Sequence, residues 1–138
     1  MIGLVVVTHG ALATEFVAVT ELIVGPQENL LAVPLAPDES IESMKDRIGK
    51  AIQSVETGEG VILLTDMFGG TPSNLAITFM EEGRVEILSG VNLPVLLKLA
   101  TGRTADEGED AKTLVELARL ASEHGRRNIQ VATEILKK

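Results

Sequence analysis

Hydrophobic and polar positions along this chain switch repeatedly between two periods. Leu4-Val5-Val6-Val7 is a continuous, mostly β-branched apolar run, which predicts a buried strand over residues 2–7. From residue 11 to 24 the apolar positions recur near every 3.6 residues, placing Leu12, Phe16, Val19, Leu22 and Ile23 on one helical face. Gly25-Pro26 ends that helix. A second strand is predicted over 30–35, with Pro34 near an edge or exit. Pro37-Asp38-Glu39-Ser40 reads as a turn whose Asp38 or Ser40 caps a helix over 41–55, with Ile41, Met44, Ile48, Ile52 and Val55 inward. Gly58 and Gly60 break it. Val61-Ile62-Leu63-Leu64 has no polar interruption, as expected of a central parallel strand covered on both faces.

The second half repeats the scheme. A helix is predicted over 73–81, with Thr71 as its cap and Pro72 at its first position. A strand follows over 85–88 and a helix over 93–100. Residues 101–110 are polar and acidic and read as a surface loop. A helix over 111–124 turns Leu114, Leu117, Ala118 and Ala121 inward. Residues 129–135 alternate well enough for a last strand, although a helix competes there. Strands alternating with helices predict an α/β fold: a parallel sheet with helices on both faces. At 138 residues, with no repeat or linker, the chain reads as a single domain over 1–138.

Composition narrows the chemistry. There is no cysteine, so neither a disulfide framework nor a thiolate metal site is possible. The net charge of −8 argues against general nucleic-acid binding, which calls for basic patches. The first apolar run is short and has no basic region before it, unlike a signal peptide. No stretch approaches the roughly 20 apolar residues of a membrane span. A cytoplasmic protein is the expectation.

Three loops follow strands and precede helices: Thr8-His9-Gly10, the stretch from Asp66 to Asn74, and Ser89 to Pro94. In a parallel sheet all three crowd one edge, where such folds bind ligands. That gathers the His9 imidazole, the Asp66 carboxylate, the Thr71 hydroxyl and the amides of helix starts. A neutral imidazole can attack phosphorus through one nitrogen while the other holds the proton. A carboxylate accepting that N–H fixes the tautomer and stabilises the charged product, and Asp66 is the candidate. Phosphoryl oxygens need donors, which backbone N–H groups, Thr71 and the Gly69-Gly70 turn can supply. Phosphoryl transfer is mostly positioning and charge stabilisation, so neither metal nor cofactor is required in principle. Singly, each residue has a plainer reading: Asp66 as a helix cap, Gly69-Gly70-Thr71-Pro72 as a tight turn, Asn92 as a turn residue, His124 as a helix-end residue. The joint placement of His9, Asp66 and Thr71 on one edge carries the chemical reading.

Four stretches, in order, resemble one family. These are Val6-Val7-Thr8-His9-Gly10, Gly25-Pro26-Gln27-Glu28-Asn29, Asp66-Met67-Phe68-Gly69-Gly70-Thr71-Pro72-Ser73-Asn74 and Gly90-Val91-Asn92-Leu93-Pro94. Together they are similar to the enzyme IIA domain of the mannose-type sugar phosphotransferase system, over nearly the full length. The resemblance implies a three-layer α/β/α fold with a parallel four-stranded sheet, plus a C-terminal antiparallel strand, over 129–135, exchanged in a homodimer. It implies phosphorylation of His9 on Nε2 by phospho-HPr, with Asp66 holding Nδ1 and Thr71 beside the phosphoryl group. Gly10, Gly69, Gly70, Ser73, Asn74 and Asn92 would line the phosphate-binding loops. The phosphoryl group would pass to a IIB component, which serves sugar uptake through a membrane IIC/IID complex. A stand-alone regulator read by its phosphorylation state would use the same residues. A tetrapyrrole metal chelatase, whose first strand also ends in His-Gly, would need a second histidine on this edge. His124, the only other histidine, falls on the last helix.

Overall fold

The computed structural model describes residues 1–103 and 113–137. Strands β1 (Gly3–His9), β2 (Leu30–Leu35), β3 (Val61–Thr65) and β4 (Val85–Ser89) form one sheet in the order β2-β1-β3-β4. All three pairings are parallel, with Val7 opposite both Val33 and Thr65. After β1 the chain moves outward to β2, then crosses back to place β3 on the other side. The strand order therefore reverses between β1 and β3, and in open α/β sheets the crevice at that point is where ligands bind.

The helices are α1 (Leu12–Val24), α2 (Ile41–Val55), α3 (Thr71–Ile77), α4 (Leu93–Gly102), α5 (Leu114–Arg127) and α6 (Ala132–Leu136). Leu4 and Val6 of β1 face one layer, built by α1, α4 and α5 with Ala13, Leu96, Leu99 and Leu117. Val5 and Val7 face the other, built by α2 and α3 with Met44, Ile48, Val55 and Ala76. All four β1 side chains are fully buried. Burial of each is worth about 1.5–3 kcal/mol, which anchors β1 between the two layers. At the opposite end of the sheet from His9, the Arg103 guanidinium donates to the carbonyls of Ile2, Glu28 and Asn29, tying the start of β1 to the loop before β2.

Several expectations hold and several need correction. Ser40 caps α2, accepting from Ser43 N–H at 3.1 Å. The buried face of α2 is Met44, Ile48, Ala51 and Val55, with Ile41 half exposed rather than inward. In α1 the buried residues are Ala13 and Thr20, with Phe16 and Val17 partly covered, while Leu12, Leu22 and Ile23 lie exposed. That helix is apolar almost all round, so its pattern could not choose a face. Packing selected the side whose small residues let the helix approach the sheet. Helix α3 begins two residues earlier than expected and ends at Ile77, with Thr71 inside the first turn and Gly70 as its cap. Helix α4 runs on to Gly102, so residues 101 and 102 are helical rather than loop; the acidic remainder of that stretch, from 104, lies outside the described residues. Residues 111 and 112 of the last predicted helix lie there too.

The predicted strand over 129–135 is not one in the single chain. Residues 132–136 form the short helix α6, with no buried residue. A strand needs a neighbour to satisfy its backbone, and no described strand lies beside this segment, so its N–H groups close locally, as Ile135 N–H does on Val131 O. Among the described residues the sheet has the expected four parallel strands, with β2 and β4 as its edges.

Candidate functional site

The site begins with two matching sequence arrangements. Each central strand ends in a buried threonine followed by a polar residue: Thr8-His9 on β1 and Thr65-Asp66 on β3. Because β1 and β3 pair directly, His9 and Asp66 leave the sheet side by side at the point where strand order reverses.

The two side chains meet there. Oδ2 of Asp66 lies 2.8 Å from Nδ1 of His9 and also accepts the His9 backbone N–H at 3.0 Å. Oδ1 accepts the Met67 N–H at 3.1 Å. Burial pushes the Asp66 carboxyl up, but the hydrogen bonds from the His9 ring and the His9 backbone outweigh it and hold the group below the ordinary value of 3.8. A carboxylate only accepts, so Nδ1 must be the protonated ring nitrogen, and Nε2 of the neutral ring keeps its lone pair. The imidazole is 53% exposed while Asp66 is 12% exposed: an open ring sits on a mostly covered anchor.

The threonines set the loop geometry. Thr8 Oγ1 accepts the Ala13 N–H at 2.7 Å and donates to Gly10 O at 3.2 Å. Ala11, at the N-cap of α1, offers no side-chain cap, so the Thr8 hydroxyl satisfies a first-turn donor in its place. Gly10 turns the chain at φ +53°, and its N–H binds Leu35 O. Thr65 Oγ1 donates to Ser89 Oγ at 3.0 Å, joining the ends of β3 and β4, while Thr65 O accepts the N–H groups of Gly90 and Val91. Sequence reasoning missed both threonines as site-building residues. Their signal was a lone hydroxyl at the end of each central apolar run, immediately before the chemistry.

The other expected residues divide. Gly70 lies against the Cε1–Nε2 side of the His9 ring, and Gly69 precedes it, both with positive φ. Thr71 and Asn74 are exposed in the first turn of α3, where Asn74 N–H makes the opening bond to Gly70 O. Ser73 points inward instead: it is fully buried and its hydroxyl has no hydrogen-bond partner. Asn92 is committed to the scaffold. Its Oδ1 caps α4 by accepting Val95 N–H at 2.9 Å, and its Nδ2 donates to Gly125 O of α5 at 3.1 Å. His124 stays in the last turn of α5, where its carbonyl accepts the Asn128 amide. Close along the chain to His9 and Asp66, Leu12, Met67 and Phe68 are half to three-quarters exposed. A shallow dimple of about 260 Å³ opens beside Leu12, between Phe16, Val19 and Leu93. Among the described residues no group of three His, Cys, Asp or Glu side chains could hold a metal ion. No described helix is long and apolar enough to cross a membrane.

Comparison with known proteins fits this geometry. The EIIA-man family model, described as the fructose IIA component of the phosphotransferase system (PTS), matches residues 3–117. The PTS fructose-specific EIIA component of Bacillus subtilis is 30% identical over all of this chain and 91% of its own length. The PTS mannose-specific EIIAB component of Escherichia coli is 31% identical over 94% of this chain. The match spans only 39% of that longer relative. A crystal structure of the PTS component EIIA from Streptococcus agalactiae shares the fold, with a TM-score of 0.84, 23% identity, and coverage of 97% of this chain and 99% of that one. The chain therefore belongs to the mannose/fructose-type enzyme IIA family of the sugar phosphotransferase system.

Proposed function

We propose that this protein is a phosphoryl carrier. Nε2 of His9 takes a phosphoryl group from phospho-HPr and delivers it to a IIB component, which serves sugar uptake through a membrane IIC/IID complex. The observation that carries this reading is the shared Asp66 oxygen. By taking both the ring Nδ1 and the His9 N–H, it fixes the tautomer and aims Nε2 outward from a half-exposed ring. In the transfer step the Nε2 lone pair forms the new N–P bond as the donor's N–P bond breaks. The electron pair of the broken bond returns to the donor imidazole. The proton on Nδ1 stays in place, so the phosphorylated ring carries positive charge against a carboxylate. Thr71 and the first-turn amides of α3 are the donors for the phosphoryl oxygens, with Gly69 and Gly70 giving the backbone room to turn toward them. Asn92 and Ser73 act behind this layer, as scaffold.

Carrier proteins must present the reactive ring to a protein partner, and the exposed apolar side chains of Leu12, Met67 and Phe68, near His9 and Asp66 along the chain, suit that. The place of action is the cytoplasm. The protein works as a homodimer. Support comes from the exposed Ile129, Val131, Ile135 and Leu136 of the C-terminal segment. The open β4 edge also has a groove of about 660 Å³ whose lining mixes apolar Ile77, Met80, Ile87 and Val115 with charged Glu86, Arg119 and Arg126.

The test is incubation with enzyme I, HPr and labelled phosphoenolpyruvate. The wild-type chain takes up one acid-labile phosphate, and His9→Ala takes up none while keeping its fold by circular dichroism. Label on the His9→Ala chain would place the acceptor elsewhere and end this reading.

A further inference from the structure

Gly69 and Gly70 both have φ near +85°, but their surroundings differ. A Cβ built on Gly69 would meet nothing within 4 Å. A Cβ built on Gly70 would lie 3.2 Å from Cε1 and 3.3 Å from Nε2 of His9. Those separations are tighter than ordinary van der Waals contact between carbon and a ring atom. They fall on the side of the ring that Asp66 leaves unengaged. The ring cannot swing away without losing the 2.8 Å bond from Nδ1 to Asp66, and the backbone of His9 is held by the same carboxylate.

We infer that Gly70 is a positioning residue whose missing side chain keeps the Cε1–Nε2 side of the His9 ring open while Asp66 fixes the ring from the other side. The ring is thus clamped at one nitrogen and cleared at the other. A methyl group at position 70 fills space beside the atom that must carry three phosphoryl oxygens, and displaces the ring by a few tenths of an ångström. A misplacement of about 1 Å can cost on the order of 100-fold in rate, and scaling that to a few tenths of an ångström gives a loss of up to roughly tenfold. The inference rests on the proposed phosphorylation of Nε2 for its purpose, but the steric relation stands without it.

The experiment compares wild type, Gly70→Ala and Gly25→Ala. Gly25 is the matched control: it has φ 90° and ψ 172° against 87° and 168° for Gly70, and a Cβ there would meet nothing within 4 Å. Gly25→Ala therefore carries the same backbone cost at the end of α1, with no contact on the ring. His9 modification by diethyl pyrocarbonate is followed by peptide mass spectrometry, with His124 as internal reference. Phosphorylation by phospho-HPr is measured alongside, and the protonation of Nδ1 is read from ring ¹⁵N shifts. Gly70→Ala should lose roughly tenfold in both reactions, relative to wild type, while Nδ1 stays protonated; Gly25→Ala should stay within about twofold. Equal losses in the two variants, or none in Gly70→Ala, would overturn the inference. If wild type reacts with the reagent but takes no phosphate, the carrier reading fails and the reagent comparison still judges Gly70. Should Gly70→Ala fail to fold, the unmutated protein decides: a nuclear Overhauser contact between the Gly70 Hα protons and His9 Hε1 is expected, and its absence refutes the proximity.

Discussion

Replacing Asp66 with asparagine changes almost no volume and removes one charge, yet no orientation of the new amide suits the site. The carboxylate accepts three donors: Nδ1 and N–H of His9 on Oδ2, and the Met67 N–H on Oδ1. If the asparagine oxygen faces His9, its NH₂ group confronts the Met67 N–H, donor against donor. If it faces Met67, the NH₂ meets the His9 N–H and can bond Nδ1 only when the ring proton moves to Nε2, which disables the nucleophile. In the first orientation the correct tautomer survives, but the phosphorylated ring loses its counter-charge. A hydrogen bond to a charged group is worth about 1.5–3 kcal/mol. The ring is half exposed, so solvent replaces part of that and the lower end applies, about 1.5–2 kcal/mol. At 1.36 kcal/mol per decade this predicts a roughly 10- to 30-fold slower transfer from phospho-HPr. Rapid-quench phosphorylation under single-turnover conditions measures it, with circular dichroism to confirm the fold. A wild-type rate in Asp66→Asn, with His9 still the acceptor, would refute the orienting role.

Three further outcomes are expected. The Asp66 carboxyl sits below its ordinary value of 3.8 in the folded chain, so its contribution to stability is complete above that value and disappears as pH falls through the lower folded value. The difference in urea-unfolding free energy between wild type and Asp66→Asn should therefore shrink steadily on acidification below about pH 4, and a difference independent of pH would contradict the linkage. Thr8→Val strands the Ala13 N–H without its hydroxyl acceptor and should cost about 1–3 kcal/mol in the same assay, with slower labelling of His9 as the loop loosens. Removing residues 129–138 should shift the molecule from dimer to monomer in sedimentation equilibrium; an unchanged mass would remove the C-terminal segment from the dimer contact.

Much of this was legible in the chain. The runs ending at Val7 and Leu64 announced central strands because burial on both faces leaves no room for polar residues. His9 and Asp66 could be paired because each follows such a run after a single threonine. What the sequence could not reveal depends on neighbours distant in the chain. The inward face of α1 was ambiguous because Leu12, Leu22 and Ile23 are as apolar as the residues that pack. Asn92 looks like any loop residue until α5 brings Gly125 O within reach of its amide. Ser73 follows a helix cap and a proline, a position that reads as solvent-facing, but α3 turns it toward the core. Residues 129–135 show two short-range patterns, and only a neighbouring strand edge could favour the extended one.

The central claim concerns one nitrogen, and a long-range ¹H–¹⁵N spectrum of the phosphorylated protein addresses it most directly. The account predicts phosphorus coupled to Nε2 of His9, with Nδ1 protonated and hydrogen-bonded. Phosphorus on Nδ1, or a proton on Nε2 in the unphosphorylated ring, would contradict it.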